Sequence, residues 1–185
     1  MNYLSPTTIL KGTAVLALFV SSCVFAAAQK ADSKQITDLF TEIKQHASLA
    51  QDDAQKLESF ARSPSIAWQS HRDQLRLVRE HVDDLFNDYN EMARLRDEGS
   101  PWQQEAIDQH RPVMKGMADH LTATIKYDNE HPTDVKLEAW REYVRVNSEY
   151  ATKASSLIHD LVDYGAAKST AELLGKRMNL QANAK

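Results

Sequence analysis

The sequence predicts an all-α protein: an up-down-up-down antiparallel four-helix bundle with a short C-terminal fifth helix, preceded by a secretory signal peptide. Three observations carry this expectation. Apolar residues recur at alternating steps of three and four from about residue 33 onward, which is the period of a helix. Chain breakers cluster at three evenly spaced places, around Pro64, at Gly99-Ser100-Pro101, and between Asn129 and Asp134. Gly and Pro number only 5 each, too few for an all-β fold with its many tight turns.

The first 28 residues read as an export signal. Lys11 precedes the apolar run Ala14 to Val20, and the segment ends in Ala26-Ala27-Ala28. Basic, apolar and small residues in that order mark a cleaved secretory peptide, with Gln29 as the first mature residue. The competing reading is a lipoprotein anchored through Cys23, because Val20-Ser21-Ser22-Cys23 resembles a lipobox. The apolar Val24-Phe25-Ala26 that follows Cys23 argues against it, since a lipoprotein carries a polar tether there. Cys23 is the only cysteine, so the mature domain has no disulfide. A chain of 185 residues is long enough to bury a core without one.

Four amphipathic stripes follow. Ser33 caps the first, which runs Ile36, Phe40, Ile43, Ala47, Ala50, Ala54, Leu57 and Ala61. Pro64 disfavours helix at Ser63, and Ser65 is placed to cap the second. That stripe is Trp68, His71, Leu75, Val78, Val82, Leu85, Tyr89 and Met92. Ser100, Pro101 and Gln103 make a strong start for the third, with a cap, a first-turn proline and a capping-box glutamine. Its stripe is Ile107, His110, Met114, Met117, Leu121, Thr124 and Asp128. Pro112 inside it removes a backbone hydrogen bond to Asp108, which predicts a kink or a break. The fourth stripe is Trp140, Tyr143, Asn147, Tyr150, Ala154, Leu157, Leu161 and Tyr164, with Gly165 as its C-cap. Ser169-Thr170-Ala171-Glu172 then resembles a capping box and opens the fifth helix. The bundle domain spans 29–178, and 179–185 is a frayed tail. Near-equal lengths and short loops favour antiparallel neighbours over an extended coiled-coil dimer.

Bulk properties narrow the function. Hydrophobic residues make up 42% and charged residues 26%, the balance of a folded globular domain rather than a disordered chain. Net charge is −4, and Lys11 is the only charge among the first 28 residues, so the mature chain carries −5. Such a chain has no basic footprint for nucleic acid.

The histidines are the residues to watch. His110, Met114 and Met117 share one face of the third helix, with His120 at its edge, and register from the Gly99 turn sets His81 near His120. Thioether and imidazole donors together suit copper, and inward His or Met side chains can ligate haem. The competing reading places both methionines in the core as gap fillers. The same register brings His110 near Tyr89, while register from the turn near Glu130 brings it near Tyr150. That pairing is either an acid–base site or a buried histidine satisfied by hydroxyls. His71 falls opposite Asp128, the position of a structural ion pair. Asp52-Asp53 and Asp83-Asp84 read as solvated surface among Lys and Arg. Di-iron Glu-x-x-His pairs, Cys-x-x-Cys-His, phosphate loops and zinc His-Glu-x-x-His helices are absent from the sequence.

The sequence therefore points first to an exported, non-enzymatic helical protein acting as a periplasmic binding, interaction or stress-response module, its partner a protein or envelope component. The second expectation is a copper- or haem-binding bundle using His110, Met114, Met117, His120 and His81. The third is an enzyme pairing His110 with Tyr89 or Tyr150.

Overall fold

A computed structural model describes residues 30–183, with side chains through Asn179. The expected signal peptide and Cys23 lie outside the described residues. Four α-helices follow one another: α1 (Lys34–Ala61), α2 (Trp68–Arg94), α3 (Pro101–Glu130) and α4 (Glu138–Asn183), with one 3-10 turn at Arg96–Glu98. The described residues contain no strand. α1 packs along both α2 and α4, α3 packs along α4, and the seam between α2 and α3 is the loosest. That seam leaves a groove of about 660 Å³ lined in part by Val82, Phe86, Leu121 and Ile125. No helix among the described residues is long and apolar enough to cross a membrane.

The predicted stripes become the core with one shift. Every residue of the first and third stripes is buried, and so is the second from His71 to Met92. In α4 the buried line is Trp140, Val144, Asn147, Ser148, Ala151, Ala154, Ser155 and Ile158. Tyr143 and Tyr150 stand at its edge, and Tyr164 is exposed. Tyrosine suits an edge because its ring packs while its hydroxyl reaches water.

The starts of α1 and α3 are tied together. The Ser33 hydroxyl caps α1 by accepting from the Ile36 N–H. Fully buried Gln103 accepts from the Ser33 N–H at 2.8 Å and the Ser100 N–H at 3.0 Å. Its amide donates to the Ser33 carbonyl at 3.0 Å and to Thr37 Oγ1 at 3.2 Å. One side chain thus satisfies two helix starts. Gln103→Ala would strand the buried Ser100 N–H and the partly buried Ser33 N–H and is expected to cost about 2 kcal/mol in urea denaturation.

Three local expectations need correction. The fifth helix does not exist as a separate element: α4 runs unbroken through Gly165 and Ser169 to Asn183, through most of the expected frayed tail. Gly165 serves close approach rather than termination, since a Cβ there would stand 2.9 Å from the Trp102 ring. The Thr170 hydroxyl donates back to the Ala166 carbonyl inside the helix instead of capping a new one. α2 starts at Trp68 with Ala67 at the cap and no side-chain cap bond, so Ser65 does not cap it. Of the kink or break expected at Pro112, the break does not occur: Pro112 sits exposed within a continuous α3, where losing one bond does not end a helix held by its neighbours.

Candidate metal centre

The residues expected to converge on a copper or haem site separate. Met114 and Met117 are buried in the core. His110 is buried beside them, and its Nδ1 lies 2.6 Å from the Ala106 carbonyl one turn back. A carbonyl can only accept, so Nδ1 carries the proton. His120 stacks against the rings of Tyr143 and Tyr150, with centroids 5.7 and 6.1 Å away, in the α3–α4 seam. His81 faces α1 instead and meets Asp53 at 3.4 Å. With the α2–α3 seam so loosely packed, register from the Gly99 turn did not translate into contact.

The expected acid–base pairs do not form either. The Tyr89 hydroxyl donates to the Ile107 carbonyl at 3.0 Å, and Tyr150 lies against Gly116 and His120. His110 is thus a buried, backbone-bonded histidine. Burial pushes its proton affinity below the ordinary imidazole value, against the pull of the Ala106 and Leu157 carbonyls. His71 approaches Asp128 as register predicted, without an ion pair. Arg72 Nε donates to Asp128 at 2.8 Å, while the Trp140 indole donates to His71 Nδ1 at 3.1 Å. Burial lowers the proton affinity of His71, and the Asp128 charge opposes that.

A different cluster lies between α1 and α2. His46 and Asp53 are seven residues apart on α1, two helical turns, so they share a face. His81, Asp84 and Asp88 follow at steps of three and four on α2 and likewise share one. Ring nitrogens of His46 and His81 and a carboxylate oxygen of Asp84 come within 4.8 Å of one another. The Nε2 of His46 faces Asp88 at 3.7 Å, and the Nε2 of His81 faces Asp53 at 3.4 Å. Gln74, itself buried, holds Asp53 with an amide hydrogen bond of 2.7 Å. The Nδ1 atoms of both histidines are buried without a hydrogen-bond partner. His46 Nδ1 looks toward Asp84 at 3.8 Å.

This geometry has a recognisable logic. A metal-ligating histidine ordinarily turns its other nitrogen to a carboxylate, which fixes the tautomer and leaves a bare lone pair for the ion. Both histidines here turn Nε2 toward a carboxylate without closing the hydrogen bond, at 3.7 Å for His46 and 3.4 Å for His81, so small rotations would complete that arrangement. Two imidazoles and one carboxylate suit zinc and its first-row neighbours rather than magnesium or calcium, which prefer all-oxygen shells. Tetrahedral coordination needs donors roughly 3.3 Å apart, so the three side chains would close by small rotations. The surroundings are acidic. Burial pushes the Asp88 carboxyl above its ordinary value, and Glu42, Asp84 and Glu91 add to that against the opposing His46. A cation placed there would relieve the repulsion.

Asp53 is therefore half-buried rather than the solvated surface that the sequence suggested, Asp84 is exposed as expected but stands beside two histidines, and His46 was not placed at all. Register could have found the cluster. Counting outward from Pro64, His46 lies 18 residues before and His81 lies 17 after. Asp53 and Gln74, which bond directly, lie 11 before and 10 after.

No family model, curated protein or solved structure compared with this chain matches it.

Proposed function

We propose that this protein is an exported binding protein whose ligand is a divalent transition-metal ion, held between α1 and α2 by His46, His81 and Asp84. The observation that supports this most directly is the pair of buried Nδ1 atoms without partners, each on a ring whose Nε2 faces an aspartate. Buried polar atoms are ordinarily satisfied, and these two orphans sit on rings whose donor atoms come within 4.8 Å of each other and of Asp84, where one ion would serve both. Three protein donors leave a position for water or a fourth ligand. The reading favours a binding role over catalysis, because the expected His110–tyrosine pairs are not made.

Isothermal titration of zinc, cobalt or nickel into chelator-stripped protein tests the site. One ion per chain is expected. His46→Ala and His81→Ala should each weaken binding by at least about tenfold. His120→Gln and Met117→Leu should leave it unchanged. If the two alanine variants bind as the parent does, the assignment fails. Export has its own test: intact mass of protein from the cell envelope should show Gln29 as the first residue. A lipidated Cys23 or an uncleaved Met1 would contradict the soluble exported form.

A further inference from the structure

The turn end of the bundle holds a second cluster, unrelated to the metal ligands. The α1–α2 and α3–α4 connections meet there over a cavity of about 330 Å³. His71, Ile66 and Val135 line it together with the cationic side chains Arg62, Lys136 and Arg141. No carboxylate residue lines it.

The state of His71 follows from its neighbour. The indole N–H of Trp140 can only donate, and it donates to His71 Nδ1 at 3.1 Å. Nδ1 therefore keeps its lone pair, and the neutral ring carries its proton on Nε2. His71 is 1% exposed, and it makes no other hydrogen bond while lining the cavity. Trp140, itself buried in the core, locks the orientation. The result is a fixed donor at the wall of a pocket ringed by three cations.

The carboxylates nearby do not cancel this. Asp128 does not line the cavity and accepts from Arg72 through Oδ2, with Oδ1 buried and unpartnered; Glu58 pairs with Arg62 on the α1 surface, and Arg141 pairs with Glu138 at 3.3 Å and donates to the Lys136 carbonyl at 3.0 Å. Exposed pairs of this kind are weak, and a guanidinium with five donors has bonds to spare. Lys136 makes no ion pair among the described residues. A pocket of about 300 Å³ suits a small ligand.

We propose that this cavity binds a small oxyanion, a phosphate or carboxylate group, through the Nε2–H of His71 and the side chains of Arg62, Lys136 and Arg141. Guanidinium forks match either group. Inorganic phosphate and citrate, titrated separately into chelator-treated protein, distinguish the two. The readout is the Trp140 indole N–H resonance, which reports on His71 directly.

Saturable movement of that resonance by phosphate or by citrate is expected, with the stronger binder naming the chemistry. The double variant Lys136→Ala, Arg141→Ala, altered only at exposed positions, should weaken it at least tenfold. His46→Ala should leave it unchanged, which separates this site from the metal centre. The proposal is overturned if neither anion saturates the shift below about 10 mM, beyond the weak end of specific binding. It is equally overturned if the double variant binds as the parent does.

Discussion

Acidification below pH 6.5 is expected to destabilise the metal-free protein steeply, before most of its carboxylates begin to titrate. His71 and His110 are both buried, and both have proton affinities held below the ordinary value of 6.5. Above pH 6.5 each is neutral whether the chain is folded or unfolded, so neither makes stability depend on pH. Below it the unfolded chain takes up protons that the folded core refuses, and stability falls as pH falls. The loss continues until the pH reaches the native value of each histidine. Each site contributes a slope approaching about 1.4 kcal/mol per pH unit, and the pair about 2.7. Urea midpoints measured in chelator from pH 7.5 to 5 should show this fall. His110→Gln should remove about half of the slope, whatever it does to the stability at neutral pH. A flat profile down to pH 5 would mean that these rings charge inside the fold.

The second large effect is stabilisation by metal. An ion that binds only the folded chain adds about 2.7 kcal/mol at a hundredfold excess over its dissociation constant. For a protein of this size that raises the melting temperature by roughly 5–10 °C. The ligands come from two helices, so the ion would pin α1 to α2, a link that unfolding must break. Zinc should raise the melting temperature of the parent, and that of His81→Ala by about half as much or less, since tenfold weaker binding leaves about 1.4 kcal/mol at the same concentration. A chelator should reverse the gain. Acid should also release the ion, since the imidazoles must be neutral to bind it. Equal stabilisation of the parent and His81→Ala would point to another site.

Local rules read well from this chain wherever one residue decides the outcome. Ser33 caps α1, and Gln103 completes its half of the box at the start of α3, because capping depends on chemistry within three residues. The buried stripes of α1 and α3 also follow, since a face fixed by period 3.6 needs only one neighbour to bury it. Gly165 misled because a glycine can end a helix or admit a ring, and only the position of Trp102 decides between them. The Ser169 pattern misled because a capping box requires a preceding non-helical residue, which α4 never provides.

The candidate site was harder to read because it depends on which helices press together. Register across a turn works where the two arms stay in contact. It holds for Asp53 with Gln74 across the Pro64 turn. It fails for His81 with His120, whose helices part after the Gly99 turn. Nothing in the stripes of α2 and α3 announces that parting, because both carry apolar faces of normal width.

α4 outruns the bundle, and this sets how its melting should be interpreted. At 46 residues it is about 69 Å long, against roughly 40–45 Å for its neighbours. Among the described side chains Lys168 makes its last polar tie to the bundle, to Asp32 at 3.1 Å. From Ser169 to Asn179 every residue is exposed, Leu173, Leu174 and Met178 included. An isolated helix of that length is marginal in water, because little offsets its nucleation cost. The end of α4 should therefore melt as a tethered peptide, gradually and at low temperature, while the bundle melts cooperatively above it. Ellipticity at the helix bands would sum the two transitions, whereas the fluorescence of Trp68, Trp102 and Trp140, all within the bundle, follows the cooperative one alone.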